Sequence, residues 1–411
     1  MRILFICGGL APGRDGVGDY ARKLASKLIA MDHQVTIVSI NDQNTANTIE
    51  EIQESPEPVN VFRIPNKLSW KERLELLEQF AIRFKPDLVS FQYVPYSFHE
   101  KGLPLEMIWK MTSFFKNVKL HIMLHELWVD GKNGNSIKSK LICFLQKGLL
   151  KLMVTRWKPS GLATSIPLYQ KMLKKEGIAA DIIPIFSNIG NFQTDIADGI
   201  ETVPQWLLED RKSYLIGCNF GSFYNSSWNL EQFFNSFQEE CIKLGKQPLL
   251  YSIGNLSAGK DNWDQLADQF PKIKFLTLGA FPEAIISYWF THFTDFGMVT
   301  TPYIFAGKSG SYMAFKQHGL SCFCNRQDLK FDFDVADLEM EEGLIPMVGG
   351  TEFHIPAIKH TDDQVSETSL LFLNSFKRLH TDSKPLAATR WFVAFYLTSL
   401  FQDLGPFISD L

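Results

Sequence analysis

Residues 8–24 read GGLAPGRDGVGDYARKL, directly after the apolar run RILFIC. Such a passage between a strand and a helix places backbone amides at the carboxyl edge of a parallel sheet. There the first turn of the helix offers free N–H groups and a partial positive charge to an anion. Gly16 and Gly18 carry no Cβ, so the backbone there could approach a phosphate closely. A merely long turn is the plainer alternative. A dinucleotide fingerprint needs the tighter G-x-G-x-x-G with an acid about twenty residues on. The nearest strand-end acid, Asp42, comes too late for that, and no Gly-Lys-Ser/Thr closes a Walker turn. Phosphate contact is therefore expected, though not of the nicotinamide kind.

Two other stretches have comparable chemistry. YIFAGKSGSYMAFKQHGL (303–320) follows the strand-like FGMVTT and opens a second helix with Lys308, Ser309, Gly310 and Ser311. A diphosphate half-site and simple capping of the helix by a serine are both open readings, and compatible ones. KLHIML (119–124) runs into LHELW, so His125 closes a strand with Glu126 beside it. A histidine there faces the ligand edge of a parallel sheet, where it could bond a sugar hydroxyl or stabilise charge; a purely structural histidine is the other reading. His121, two residues earlier on the same strand face, reads as core. FQYVPYSFHEKGLP (91–104) brings Gln92, Tyr93, Tyr96 and His99 to the same edge, either to stack on a sugar ring or as a packed loop.

Between residues 131 and 175 there are ten Lys or Arg and no Asp or Glu, inside a chain of net charge −4. Within it, Lys140, Lys147 and Lys151 fall along one side of a helix, and Ile137, Leu141, Phe144, Leu145 and Leu152 on another. The segment 136–158 reads either as a contact for anionic lipid or a phosphorylated acceptor, or as a solvated face of a domain helix. Nucleic acid is not expected, because the basic region is confined and no binding motif accompanies it. The acidic run FDFDVADLEMEEG (331–343) reads as a solvated loop. Six scattered cysteines form neither a zinc spacing nor a disulfide framework, which suits reduced cytoplasm, and no metal site is expected. No run of eighteen apolar residues suggests a membrane span, and the opening MRILFI reads as a strand rather than a secretory signal.

The elements that must position these groups alternate from end to end. Apolar runs at 2–7, 34–40, 59–64, 87–91, 118–124, 161–165 and 180–185 predict strands, with helices at 17–31, 69–85, 103–116 and 136–157. Continuous apolar runs joined by helices indicate parallel sheets covered on both faces. The rhythm restarts at YLIGC (214–218) and continues through PLLYSIG, IKFLTLG, FGMVTT and LSCFC. The fold class is α/β, with two doubly wound domains at 1–190 and 205–385 and a last helix near 386–403 in the tail 386–411.

Taken in order, GGLAPGRDGVGDYARKLASKLIAMDHQVTIVS, QYVPYSFHEKGLP, LHELW, IPIFSNIG and AGKSGSYMAFKQHGLSCF resemble GT-B-fold glycosyltransferases, above all the large retaining group 1 family. The resemblance covers about 1–330, and the helix 386–403 matches the family habit of crossing back to the first domain. It implies two Rossmann-like domains facing a cleft, and transfer of a sugar from a nucleotide diphospho-sugar to a glycan or lipid-linked acceptor, as in polysaccharide biosynthesis. Retention would use the leaving phosphate as base, so neither a carboxylate nucleophile nor a metal is required. No cofactor is expected beyond the nucleotide sugar as co-substrate. His125 matches the family histidine near the transferred sugar. Gly16, Gly18, Gly221, Ser222, Ser309, Gly310 and Ser311 would meet the donor, and Asp19, Tyr93, Tyr96, His99 and Glu126 the acceptor or sugar.

The chain departs from the family at its two glutamates, whose positions hold Ala306 and Ala314. The family arginine and lysine after the first strand of the second domain are also absent from NFGSFYNSSW, which offers Ser222. Arg14 and Lys308 are the expected replacement charges, acting with His125. The departures keep open a GT-B relative that binds a nucleotide sugar without ordinary transfer; a nicotinamide-dependent oxidoreductase is a further alternative. The expected location is cytoplasmic, at the inner face of the membrane if 136–158 meets lipid.

Overall fold

The computed structural model describes residues 1–377 apart from 117, 129–135, 191–198, 224–229, 325–330, 332, 339–340, 347–352, 357 and 359–362. The expected helix 386–403 lies outside the described residues. The chain divides into two compact units, Met1–Pro184 with the chain from Val365 onward, and Ile185–Gln364.

The first unit is built on strands β1 (Arg2–Cys7), β2 (Gln34–Asp42), β3 (Ile49–Gln53), β4 (Val59–Pro65), β5 (Leu88–Tyr93), β6 (Leu120–Leu124), β7 (Gly161–Thr164) and β8 (Asp181–Ile182). They lie in the order β3-β4-β2-β1-β5-β6-β7-β8. All neighbouring pairs are parallel except β3 with β4. RILFIC is buried from Ile3 to Cys7 because β1 is central and covered on both faces. The helix Gly16–Ala30 follows it, and Ser69 with Glu72 forms a capping box that starts the helix Trp70–Phe84. The stretch expected as one helix over 103–116 is two pieces, Leu105–Lys110 and Thr112–Phe115. The helix Gln364–Lys377, unforeseen in the sequence, brings Phe372 into a stack on Phe5 at 5.4 Å and sets Phe372 and Phe376 around His121.

The second unit carries β9 (Tyr214–Phe220), β10 (Gln247–Ile253), β11 (Lys274–Gly279), β12 (Phe296–Val299), β13 (Cys322–Cys324) and β14 (Leu344–Pro346). These pair in parallel throughout, in the order β11-β10-β9-β12-β13-β14. Phe233, Phe237, Phe296 and Phe323 pack together on one side of the strands, while Tyr251, Trp289, Tyr312 and Phe315 belong to another cluster. Aromatic pairs of this kind add about 0.5–1.5 kcal/mol each beyond the area they bury.

Candidate functional site

In the first unit β1, β5 and β6 are neighbours in register, so their carboxyl ends stand side by side. His125 is the first residue beyond β6, tied by its backbone N–H to the Tyr93 carbonyl at 3.0 Å. Its ring is held on two sides: Nε2 lies 2.8 Å from Gln92 Oε1, and the Tyr20 ring meets it edge-on at 5.0 Å. Only 7% of His125 is exposed. A fixed imidazole at a sheet edge can bond a hydroxyl or oppose developing charge without first losing side-chain entropy. Gln92 lies on β5, within the FQYVPYSFHEKGLP stretch that the sequence marks, but nothing in the sequence marks Tyr20 as a neighbour of His125.

The glycine-rich loop is held from within. Asp15 is the N-cap of the helix Gly16–Ala30, its carboxylate accepting from the Val17 and Gly18 amides at 3.0 and 2.9 Å. The Gly18 amide is thus engaged with a side-chain anion of the loop itself. Gly18 also answers to close packing, since a Cβ there would stand 2.6 Å from the Gly9 carbonyl oxygen. Gly16 is exposed with open space around its Cα, and Arg14 is exposed as well. Asp19 takes the Gly13 amide at 3.1 Å and a guanidinium N–H of Arg22 at 2.9 Å, so it closes the loop onto the helix. Burial pushes the Asp15 carboxyl upward, partly countered by the two amides it caps. The signal for Asp15 was in the sequence: an Asp directly before a helix start is a standard cap.

The aromatic stretch at the end of β5 and in the loop after it is mostly packing. Tyr93 is 2% exposed, its ring among Phe91 and Phe98. Tyr96 is more open, with its hydroxyl accepting from Gln146 Nε2 at 3.1 Å. His99 Nδ1 accepts the Lys101 and Leu103 amides at 3.1 and 3.3 Å, and burial lowers its pKa, so this ring caps its own loop in the neutral form. Glu126 is half-buried beside His125.

In the second unit the carboxyl ends of β9, β10 and β11 each turn through a glycine of positive φ: Gly221 at 79°, Gly254 at 89° and Gly279 at 79°. Gly254 packs so closely that a Cβ would meet the Gly221 nitrogen at 3.3 Å. Ser222 Oγ and Ser257 Oγ are 3.3 Å apart on this edge. The helix Gly310–Gln317 starts beside it: Ser309 is its N-cap, and Ser311 Oγ donates to the Phe220 carbonyl at 2.7 Å. Lys308 ends the preceding short turn, Tyr303–Lys308, half-buried with Nζ 5.8 Å from the centre of the Phe305 ring. The structure therefore gathers Gly221, Ser311 and the Ser309 cap at one edge, made of small residues and backbone. Gly254 and Ser257, not foreseen from the sequence, complete it.

No family model matches the chain, and no curated protein matches it. Solved structures do. HepE of Anabaena in complex with UDP is 12% identical, with 100% of each chain covered and a TM-score of 0.50. The same protein with UDP and glucose gives the same figures. The fold is GT-B. The catalytic domain of starch synthase IV from Arabidopsis thaliana, bound to ADP and acarbose, is 10% identical over 93% of each chain with a TM-score of 0.47.

Two expectations from the sequence look different in three dimensions. Ala306 and Ala314, which the resemblance sets at the family glutamate positions, are 0% exposed within the apolar cluster of the second unit. Those positions are core here, not a polar wall that has lost its carboxylates. The basic helix Ile137–Trp157 also reads differently. Lys147 and Lys151 both pair with Glu176, at 2.8 and 2.7 Å, just past the acid-free stretch. Leu145, Leu149 and Leu152 are buried, whereas Ile137 is 87% and Phe144 57% exposed. Its exposed part is the first two turns, where Lys138 and Lys140 are also exposed. No helix among the described residues is long and apolar enough to cross a membrane. The described residues contain no group of three or more His, Cys, Asp or Glu suited to a metal.

Proposed function

We propose that the chain transfers a sugar from a nucleotide diphospho-sugar to a glycan or lipid-linked acceptor, with retention. The observation that carries this reading is His125, fixed by Gln92 and Tyr20 at the carboxyl edge of the first GT-B sheet. The HepE complexes of like fold hold UDP, and UDP with glucose. In this reading the second unit seats the donor on the Gly221, Ser222, Ser309, Gly310 and Ser311 edge, and the first unit supplies the acceptor side. The departing diphosphate serves as base, and no resident metal takes part. Lys308 and the first amides of the helix Gly310–Gln317 take up the charge that develops. Incubation with a panel of uridine, adenosine and guanosine diphospho-sugars tests it: slow release of free sugar and nucleoside diphosphate is the expected result. Tight binding with no turnover of any donor would favour a binding protein of the same fold. Burial of Ala306 and Ala314 is the observation in favour of that second reading. A nicotinamide enzyme has less support, because Asp42 at the end of β2 is 0% exposed and ion-paired with Arg63.

The proposal places the protein in the cytoplasm with Ile137, Lys138, Lys140 and Phe144 against an anionic membrane face. Insertion of the two apolar side chains with the lysines at the headgroup level is the geometry of an interfacial helix. Flotation with vesicles containing phosphatidylglycerol is expected to recover the protein at low salt and lose it as salt rises. Ile137→Ser with Phe144→Ser should abolish recovery; equal recovery on neutral vesicles would contradict the contact.

A further inference from the structure

β3 closes the first sheet, paired with β4 alone among the described strands, and its Ile52 is 65% exposed. The register sets Ile52 opposite Asn60 and Asn60 opposite Thr36, so these side chains form one row across β3, β4 and β2 on a single face. The row runs outward from buried Thr36 to exposed Asn60 and Ile52. Phe62, two residues beyond Asn60, shares that face, and its ring stacks at 5.3 Å on Phe80 of the helix Trp70–Phe84. Between the row and the helix lies a recess of about 320 Å³, lined also by Val61, Glu50 and Glu51. That volume is at the lower end of the range of small-molecule sites, about 300–1,000 Å³.

Both carboxylates at the recess are already matched. Glu50 Oε1 meets Arg83 Nη2 at 2.5 Å, and Glu51 Oε1 meets Arg63 Nη1 at 3.3 Å. A cationic ligand would gain little from carboxylates each held by an arginine, and an anion would be set against them. Hydrogen-bonding capacity nevertheless remains. The Asn60 carboxamide makes no hydrogen bond to the described residues, and Glu50 Oε2 makes none either. Beside them stands an apolar wall, Ile52 and the half-buried ring of Phe80. A wholly apolar ligand would cover the Asn60 amide and leave it unpaired. A neutral ring with hydroxyls on its rim and C–H groups on its face meets all of these groups at once.

We propose that this recess binds one pyranose ring of a glycan, with Asn60 and Glu50 bonding its hydroxyls and Ile52 and Phe80 covering its C–H face. The site is separate from the one around His125. Thr36 and Asn60 lie near the amino ends of β2 and β4, whereas His125 follows the carboxyl end of β6. Five strand steps separate β3 from β6, roughly 24 Å at about 4.8 Å a step. In the transferase reading, a ring gripped here belongs to a polymeric acceptor that is held well away from its reacting end. The binding itself does not rest on that reading.

Isoleucine-methyl spectra of the full chain, titrated with methyl glucoside, methyl galactoside and methyl mannoside, test this with no nucleotide present. The expected result is a saturable shift of the Ile52 methyl with at least one of the three sugars. Its dissociation constant should be on the order of millimolar, as suits a single ring, and should not change as salt rises. Asn60→Ala, which removes an exposed side chain, should weaken binding about fivefold, the loss of one hydrogen bond. An Ile52 methyl that stays in place with all three sugars would overturn the proposal, as would equal binding by Asn60→Ala. A larger shift with butylammonium, fading with salt, would also overturn it by marking a cation site. Sugar shifts at Ile52 with no turnover of any nucleotide sugar would uphold the recess and sink the transferase reading alone.

Discussion

Asp42→Ala is expected to lower the stability of the first unit by about 3–5 kcal/mol, the usual cost of breaking one partner out of a buried ion pair. Asp42 is 0% exposed and serves four groups at once. Arg63 reaches it at 2.8 and 3.3 Å, the Leu10 and Asn44 amides at 3.1 and 2.8 Å, and the Ser39 hydroxyl at 3.1 Å. Alanine leaves the Arg63 guanidinium with only the Glu51 carboxylate at 3.3 Å as an acid partner among the described residues, and takes the carboxylate away from the Leu10 and Asn44 amides and the Ser39 hydroxyl. The effect should reach the glycine-rich loop, because the Leu10 amide is one of its ties to β2 and the Leu10 carbonyl is bound by Gln53 at 3.1 Å. Burial alone would raise the Asp42 carboxyl, but Arg63 and the two amides outweigh it and hold the pKa below the ordinary value. The sign follows: this stabilisation is complete above the ordinary aspartate pKa of about 3.9 and is lost as the pH falls through the lower folded value. Urea unfolding at neutral pH, with amide exchange read on β1 and β2, checks it. A loss below about 0.5 kcal/mol, the scale of an ordinary surface change, would contradict the role given to Asp42.

Lys308→Ala is expected to cost about 2–4 kcal/mol of transition-state stabilisation, a fall of roughly 30-fold to 10³-fold in turnover, as when one preformed donor to a developing anion is removed. The resemblance to the group 1 family leads one to expect an arginine and a lysine in the segment that reads NFGSFYNSSW here. Lys308 ends a short turn against the start of the helix Gly310–Gln317, where the helix field has the same sign as its charge. Because the effect belongs to the leaving group, the loss should appear in kcat more than in KM. Lys308→Arg should recover part of it, since the charge is kept but the compact ammonium is not. Turnover equal to that of the unchanged protein would remove Lys308 from the site.

The sheets were legible because their strands are long apolar runs, and a run buried on both faces leaves little room for another reading. β3 was not: IEEIQ carries two apolar residues among acids, and it lies at the sheet edge, where solvent accepts charge. β14, three residues long, left no period to detect. The loop and helix starts were placed from spacing alone, yet the jobs of their residues depend on partners far along the chain. Gly18 is explained by the Gly9 carbonyl, Tyr93 by Phe91 and Phe98, and Lys147 by Glu176 beyond the segment that looked purely basic. His125 was legible as a strand-end histidine. Its tie to Gln92 was not, because it needs the register between β5 and β6.

The seat of the nucleotide is the claim on which the rest depends, and amide spectra of the full chain during titration with uridine diphosphate test it most directly. Saturable shifts are expected at Gly221, Ser222, Gly310 and Ser311, weakening with salt and diminished in Lys308→Ala. Absence of shifts at these amides under saturating nucleotide, or shifts confined to Asp15–Gly18 in the first unit, would contradict it.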